Sequence, residues 1–280
     1  MIRPGMLAVL AGCLMSAVPA QAQFAGHFHW EPGRTLTYRV EHITTVLDEA
    51  DGTKSKAVTK LNETKRWQVL AVDKAGVGTL QLSLTAMRLE LTRTDGESLL
   101  FDSSAAEKSN PQMREQLSKY VGVPLAVLRI DPCGKVLEVK QSKFGPASRF
   151  ESEPPFVIVL PADKPTWERS YQITLEPPQG TGEKFAAVQM YRLIVDPHMP
   201  PVINPSCHIE LTTAIKDLPA ATGDQVPLLQ YQPSGQVTFD ALHGRLIRAD
   251  LKIDKELKGH QGEGSSYRLT STYREELVGN

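Results

Sequence analysis

Apolar and polar residues alternate one by one through most of this chain. The clearest case is 245–255, where aliphatic residues alternate with arginine, aspartate and lysine. A period of two places the apolar side chains on one face of a β-strand and the charged side chains on the other. The pattern therefore predicts half-buried strands of an antiparallel sheet. The other segments that show it are 36–40, 207–215 and 267–273.

Within 77–92 this alternation changes phase. The leucines up to Leu84 share one parity, and the apolar residues from Met87 onward share the other. A shift of one residue inside a long strand predicts a β-bulge or a sharp coil of the sheet. Turn-forming pairs such as Asp51 and Gly52 separate the strands and predict hairpins.

One segment has helical periodicity instead. Asn110 is a favoured N-cap residue, and Pro111 suits the first helical position. Apolar residues then recur at helical spacing up to Gly122. We predict one short helix over 111–121, and an irregular, proline-containing connection over 217–231.

The order of these patterns is similar in the two parts of the chain. Each part shows amphipathic strands, a polar crossing segment and a hairpin. The parts are residues 23–143 and 166–280, and the connecting segment 144–165 is rich in proline and small residues. We predict a mainly β protein with large curved antiparallel sheets, arranged as a half-barrel or a sandwich. The two parts are expected to be copies of a duplicated β module that form one compact unit.

Residues 1–22 have the layout of a secretory signal peptide, with Arg3, an apolar run and small residues before a cleavage point after Ala22. We expect export to the periplasm or the extracellular space. The apolar run is too short to span a membrane, so we expect no transmembrane segment in the mature chain. The alternative is a lipoprotein signal at 10–13, in which Cys13 carries the lipid anchor.

The charge and composition of the chain limit the kinds of partner that it is expected to bind. The net charge is −1 and basic residues are scattered, so the sequence has no electrostatic footprint for nucleic acid. A hydrophobic content of 41% is typical of a packed core. Beyond Cys13 the chain contains Cys133 and Cys207, which either pair in a disulfide or stay as two separate thiols.

The motifs of common catalytic and metal sites do not occur. We find no serine on a nucleophile elbow, no phosphate-binding glycine loop and no spaced set of metal ligands, so we expect no catalytic residue, metal or cofactor. His27 and His29 are expected to lie in a flexible tail. The glycine-rich segment 260–266 carries His260 and Glu263 and is either a plain hairpin loop or a functional loop.

Two aromatic residues, Phe144 and Phe150, bracket a Gly-Pro turn that leads into the very apolar run 156–160. This run is either a buried strand that ties the two parts together or the lip of an apolar pocket. The candidate ligand-binding residues are therefore Phe144, Phe150, Phe156, His260 and Glu263.

Segments 33–38, 65–70, 144–150 and 256–267 resemble sequence segments of exported bacterial proteins of the planctomycete type, a family without an assigned activity. This resemblance implies one unit of architecture and no catalytic residue. The predicted architecture is also similar to periplasmic lipoprotein-carrier half-barrels, in which a curved sheet with a helical lid binds acyl chains on its concave face. That similarity implies a non-catalytic carrier for a hydrophobic small molecule or an envelope component. The alternatives are a scaffold that binds envelope proteins and, less favoured, a hydrolytic enzyme that uses His260.

Overall fold

The computed structural model describes residues 26–143, 145, 147, 150, 155–160, 164–177, 179–194 and 206–279. The predicted signal segment, including Cys13, and the predicted contact Phe144 lie outside these residues. The protein is mainly β, with 60% of the described residues in strands, and the strands form one large, curved and unclosed antiparallel sheet. The predicted fold class is confirmed. Of the two predicted arrangements, a half-barrel and a sandwich, the single open sheet agrees with the half-barrel.

The sheet has twelve strands in the order β6-β5-β3-β2-β1-β12-β11-β10-β9-β8-β7, and β4 pairs with the far half of β3. Their bounds are β1 (Thr35–Ala50), β2 (Thr53–Val72), β3 (Gly78–Thr92), β4 (Ser98–Asp102), β5 (Pro124–Ile130), β6 (Val136–Ser142), β7 (Thr166–Leu175), β8 (Glu183–Ile194), β9 (Ser206–Ile215), β10 (Ser234–Asp240), β11 (Arg245–Lys258) and β12 (Ser266–Gly279).

The elements follow one another in a similar order in the two parts of the chain. In each, three strands form a meander, a segment with a short helix follows, and a hairpin comes next; the first part adds β4 before its helix. The last strand, β12, then pairs with β1 along almost its whole length. This pairing joins the two parts in one sheet. The order agrees with the predicted repeat, while the predicted domain boundaries stay a prediction.

The predicted helix is present as α1 (Pro111–Leu117), which continues into a 3₁₀ turn at Ser118–Tyr120. The side chain of Asn110 accepts hydrogen bonds from the first backbone amides of the helix, as an N-cap does. The prediction for 217–231 is wrong in part. This stretch contains a second short helix, α2 (Thr222–Gln225), and a 3₁₀ helix at Val226–Tyr231. Pro227 stands in the first turn of that 3₁₀ helix, where no backbone hydrogen bond is lost.

The predicted bulge in β3 is also confirmed. Thr64 of β2 pairs with Ala86 and the next residue, Lys65, pairs with Leu84, so Thr85 has no opposite residue. The extra residue lets leucines on both sides of the bulge face the same side of the sheet. We call that side, which carries the core, the inner face.

The main core lies at one end of the sheet, where β1 begins and β12 ends. Its centre is the segment 156–160, whose Phe156, Ile158 and Leu160 are buried against strands of both parts of the chain. We call this end the closed end. Phe156 packs against Trp67 with ring centroids 4.9 Å apart. The run 156–160 therefore ties the two parts together through packing, and it forms no strand of the sheet.

The segment around His27 and His29 is not a free tail, contrary to the sequence-based expectation. The backbone amide of Phe28 donates to the carbonyl of Pro132 over 2.7 Å, and that of His29 donates to Gly244 over 2.9 Å. Both Phe28 and Trp30 are buried, and their rings stack 4.9 Å apart. The burial of these two aromatic rings drives the docking of the segment, because it contributes more free energy than the segment loses in conformational entropy.

At the opposite, open end, the segment 222–231 covers part of the inner face. Leu228 packs with Ile173 and Ile215, and Leu229 packs with Ile253 and Leu269. In the first part of the chain, α1 packs on β4. We call the segment 222–231, which lies on the inner face, the cover segment. Within the described residues, neither helix is long and apolar enough to cross a membrane.

Candidate functional site

The structure separates the residues that the sequence analysis grouped as ligand contacts. Phe156 is fully buried, and Phe150 packs against the same core. Phe156 therefore fills the closed end rather than forming the lip of an open pocket.

His260 and Glu263 lie at the open end, in the loop between β11 and β12. Glu263 is exposed. The His260 side chain is only 4% exposed, with its Nε2 3.0 Å from Oδ1 of Asp48 and its ring against Tyr267. The angles at this contact do not make a hydrogen bond, and within the described chain neither ring nitrogen has another hydrogen-bond partner. His260 is thus a buried neighbour of the cover segment, remote from Phe156.

Cys133 and Cys207 are both free thiols, so the disulfide alternative is not realised in the structure. Cys133 lies in the turn between β5 and β6, and Cys207 lies on β9. Six strands separate β5 from β9 in the sheet order. Burial is the main cause that raises the pKa of both thiols, with a nearby aspartate adding to it, and this makes them poor nucleophiles.

The middle of the inner face carries a cluster of polar residues that the sequence analysis did not single out. Its deepest part is an ion pair, in which Nζ of Lys65 lies 3.6 Å from Oε1 of Glu275. The Glu275 side chain is 0% exposed, and that of Lys65 is 22% exposed. Between them, the hydroxyl of Tyr273 donates to Glu275 over 2.8 Å and accepts from Lys65 over 3.2 Å.

This arrangement sets the charge state of the cluster. Burial is the largest single effect and lowers the pKa of Lys65, but Glu275, Tyr273 and Glu63 together outweigh it and hold that pKa above the usual range. Burial and Glu275 together raise the pKa of Tyr273, so its hydroxyl stays protonated. Oε1 of Glu275 accepts no hydrogen bond from any described residue. The cluster thus has one cation, Lys65, which the carboxylates of Glu275 and Glu63 both stabilise, and one unsatisfied acceptor, Oε1 of Glu275.

Above this pair lies a group of uncharged polar side chains. Nε2 of His42 is 2.8 Å from the hydroxyl of Ser271, and the hydroxyl of Thr44 is 3.3 Å from the same nitrogen. Burial and the Lys65 ammonium lower the pKa of His42, which keeps its ring neutral near pH 7. We call His42, Thr44 and Ser271 the polar floor.

A cleft of about 170 Å³ opens at the polar floor, between the sheet and the cover segment. Its apolar wall is Leu251 and Ile253 of β11 with Pro233, and its polar residues include Gln230, His42, Ser271 and Tyr273. Exposed Lys252 stands at its rim. The cleft therefore combines a hydrocarbon wall with a floor of neutral hydrogen-bonding groups.

Next to the cleft, the inner face of β2 and β3 carries apolar residues that are only half buried. The strand registers place Leu61 opposite His42 on one side and opposite Leu89 on the other. In the described part of the chain, none of the three buried clusters includes these leucines. We call this surface the apolar strip; its residues are Leu61, Met87, Leu89 and Leu91.

A larger groove, of about 670 Å³, lies on the outer face across β9 to β12 and β1. Three of its charged residues already form ion pairs: Arg274 donates to Asp250 over 2.8 Å, and Glu210 pairs with Arg192. These pairs are exposed and screened by water and salt, so they would contribute little free energy to the binding of a ligand. We therefore place the candidate site at the inner cleft, although it is smaller.

The polar residues of the site do carry a signal in the sequence. In β1, His42 and Thr44 stand on the parity that Tyr38, Val40 and Val46 mark as apolar. A polar side chain on the apolar parity of a strand is expected to be buried and hydrogen-bonded. Which partners meet there could not be derived, because His42 and Ser271 are 229 residues apart in the chain.

The fold and the site define an open, curved β-sheet protein with a half-covered inner face. No protein-family model and no curated protein matches the chain. Among solved structures, lipovitellin, described for its lipid–protein interactions, matches with a TM-score of 0.52 and 13% sequence identity. The match covers 89% of this chain and 25% of that chain, so this chain spans about a quarter of lipovitellin. At this identity the likeness shows the fold alone.

A second solved structure aligns over almost the whole chain but without a shared fold. It is DynF from the dynemicin biosynthesis pathway of Micromonospora chersina, with a TM-score of 0.24 and 8% identity over 99% of this chain and 93% of that chain.

Proposed function

We propose that the protein binds a molecule with a long apolar chain at the inner cleft and the apolar strip, as a non-catalytic carrier. The observation that carries this proposal is the half-buried strip beside a cleft whose wall is hydrocarbon. A contiguous apolar surface of this kind is stabilised when it is covered, and each methylene that leaves water contributes about 0.8 kcal/mol. The likeness to lipovitellin, a lipid-binding β-sheet protein, supports the same reading.

The size of the cleft limits how the ligand is held. Sites that enclose a small molecule usually measure about 300–1,000 Å³. A volume of about 170 Å³ is too small for a whole acyl chain and fits one end of it. The remainder of the chain would then lie along Leu61 and Leu89, shielded by the sheet on one side.

We further propose that this binding takes place outside the cytoplasm. The support is the signal-peptide pattern of residues 1–22, with the lipid anchor at Cys13 as the alternative. The mass of the mature N-terminus, measured on protein secreted by its own host, distinguishes the two. Cleavage after Ala22 gives an unmodified chain, whereas a lipoprotein starts at Cys13 and is heavier by its acyl groups.

Titration with Nile red, a neutral dye that fluoresces in apolar surroundings, tests the carrier proposal. The wild type is expected to bind the dye saturably, and Leu61→Asp is expected to weaken binding because a carboxylate interrupts the apolar strip. The matched control is Ile43→Asp, which places the same charge on an exposed outer-face position of the neighbouring strand. Equal dye binding by both variants, with both folded, would exclude the strip as the binding surface.

The open sheet also supports the scaffold alternative. Among the described residues, β6 and β7 each pair on one side only, and Leu137 of β6 is exposed. An unpaired edge with an exposed leucine is a surface on which another strand can add. Sedimentation velocity separates the two functions. A scaffold that uses this edge would self-associate and lose that association in Leu137→Lys, whereas a carrier would stay monomeric in both forms.

A further inference from the structure

The polar floor suggests which kind of head group the bound molecule carries. The hydrocarbon wall of the cleft ends at His42, Ser271 and Tyr273, so the end of a ligand that enters the cleft meets these side chains. A head group placed there leaves water and must find hydrogen-bond partners in the floor, because a polar group buried without a partner weakens binding.

The floor itself offers only neutral partners. The two hydroxyls and the imidazole of His42, Thr44 and Ser271 exchange donor and acceptor roles among themselves over 2.8–3.4 Å. A serine hydroxyl that donates to the ring nitrogen keeps lone pairs that accept another hydrogen bond. The floor can therefore both donate to and accept from one additional group.

The nearest charges cannot hold a charged head. Beneath the floor, the carboxylates of Glu275 and Glu63 and the Tyr273 hydroxyl already match the charge of Lys65. A carboxylate head would lose its hydration and lie near the like charge of Glu275. An ammonium head would lose its hydration and lie near the like charge of Lys65. Lys252, on the outer-face parity of β11, is exposed at the rim and stays in solvent.

We propose that the ligand presents an uncharged hydroxyl or ester head to His42, Thr44 and Ser271, so that the protein prefers neutral monoacyl lipids over fatty-acid anions and acyl cations. This inference rests on the proposed function, since it names the class of ligand for the same cleft. Its ground is the juxtaposition of a hydrocarbon wall, a neutral polar floor and a lysine whose charge nearby carboxylates already match.

Displacement of Nile red from the purified full chain by three lauroyl compounds tests the inference. Monolauroylglycerol, laurate and lauroylcholine share one chain and differ in head charge. The neutral lipid is expected to displace the dye about tenfold more effectively than either charged compound, because a desolvated charge without a partner costs at least about 1.4 kcal/mol. Equal or stronger displacement by laurate or lauroylcholine would overturn the inference.

Two variants relate the preference to the floor. Ser271→Ala removes one hydrogen-bonding group and is expected to weaken binding of monolauroylglycerol about 2- to 10-fold relative to binding of Nile red by the same variant. Its control is Thr272→Ala, on the outer face of the same strand. Thr44→Lys adds a cation to the floor and is expected to reverse the preference toward laurate. If neither Ser271→Ala nor Thr44→Lys changes the selectivity among the three compounds, the polar floor does not bind the head group. If Thr44→Lys does not fold, Ser271→Ala alone tests this assignment.

The outcomes also separate this inference from the carrier proposal. Saturable Nile red binding that all three compounds displace equally refutes the head-group preference and leaves the carrier function standing. If the wild type binds Nile red in no saturable way, the carrier proposal and the inference fall together.

Discussion

The buried ion pair at the centre of the inner face provides the sharpest test of the packing. Lys65→Met removes the cation and leaves the fully buried Glu275 carboxylate without its partner. At 3.6 Å and an effective dielectric constant of about 20, the lost attraction is about 5 kcal/mol. Breaking a buried pair from one side costs about 3–5 kcal/mol in measured cases. We expect a loss of that size in the free energy of unfolding.

The chain contains a matched control for this variant. Lys60 and Glu90 are the same residue types at the same distance of 3.6 Å, but their side chains are 48% and 29% exposed. Lys60→Met is therefore expected to cost no more than about 1 kcal/mol. The comparison isolates burial, because residue type, pair distance and strand β2 are shared.

Urea denaturation followed by circular dichroism measures these losses. For a chain of this size, a loss of about 3–5 kcal/mol corresponds to a decrease in Tm of roughly 6–20 °C. The double variant Lys65→Met with Glu275→Leu is expected to recover most of the stability, because both charges are then gone. If Lys65→Met loses as little as Lys60→Met, or if the double variant is no more stable than Lys65→Met, the reasoning is refuted.

Three further predictions concern the core, the site and the sheet. Phe28→Ala is expected to lower the free energy of unfolding by about 3–5 kcal/mol in a denaturant titration, because its ring fills the closed end. Burial and Lys65 lower the pKa of His42 below 6.5, so the unfolded chain binds a proton that the folded chain does not. Stability should therefore decline from about pH 7 to about pH 5, and less steeply in His42→Gln. Gly235→Ala is expected to cost about 1–3 kcal/mol, since its Cβ would lie 2.0 Å from the carbonyl oxygen of Asp250.

Each of these predictions has a result that contradicts it. A Phe28→Ala protein as stable as the wild type would mean that the N-terminal segment does not belong to the core. Parallel pH profiles for the wild type and His42→Gln would show that His42 titrates equally in the folded and unfolded chain. The control for Gly235→Ala is Gly96→Ala, at a hairpin turn with open space around the Cβ. A larger loss at Gly96 would mean that the left-handed backbone there, and not the close approach of β10 and β11, dominates.

Local sequence patterns were enough to predict much of the fold. Strands follow from the alternation of apolar and polar residues, as in β11, and the helix at 111–121 follows from its cap and proline. The bulge opposite Lys65 follows from the change of phase. These features depend on neighbours within a few residues, so the sequence reports them directly.

The candidate site was not predictable in the same way. Phe156 and His260 were chosen as residues in unusual loops, and the structure places them at opposite ends of the sheet. The polar floor was missed because its members lie inside regular strands. Only the parity of His42 and Thr44 marks them, and parity indicates burial without naming a partner.

The sequence by itself determined the element types, their alternating faces and the mainly β class, because these depend on backbone geometry and local periodicity. The tertiary structure alone decided that the segment around Phe28 enters the core, that 222–231 covers only part of the inner face, and that Lys65 meets Glu275. The last of these depends on the pairing of β1 with β12, which brings β2 and β12 to either side of β1. Contacts at such separations are selected by the burial and charge balance of the whole sheet, which no local window of the sequence contains.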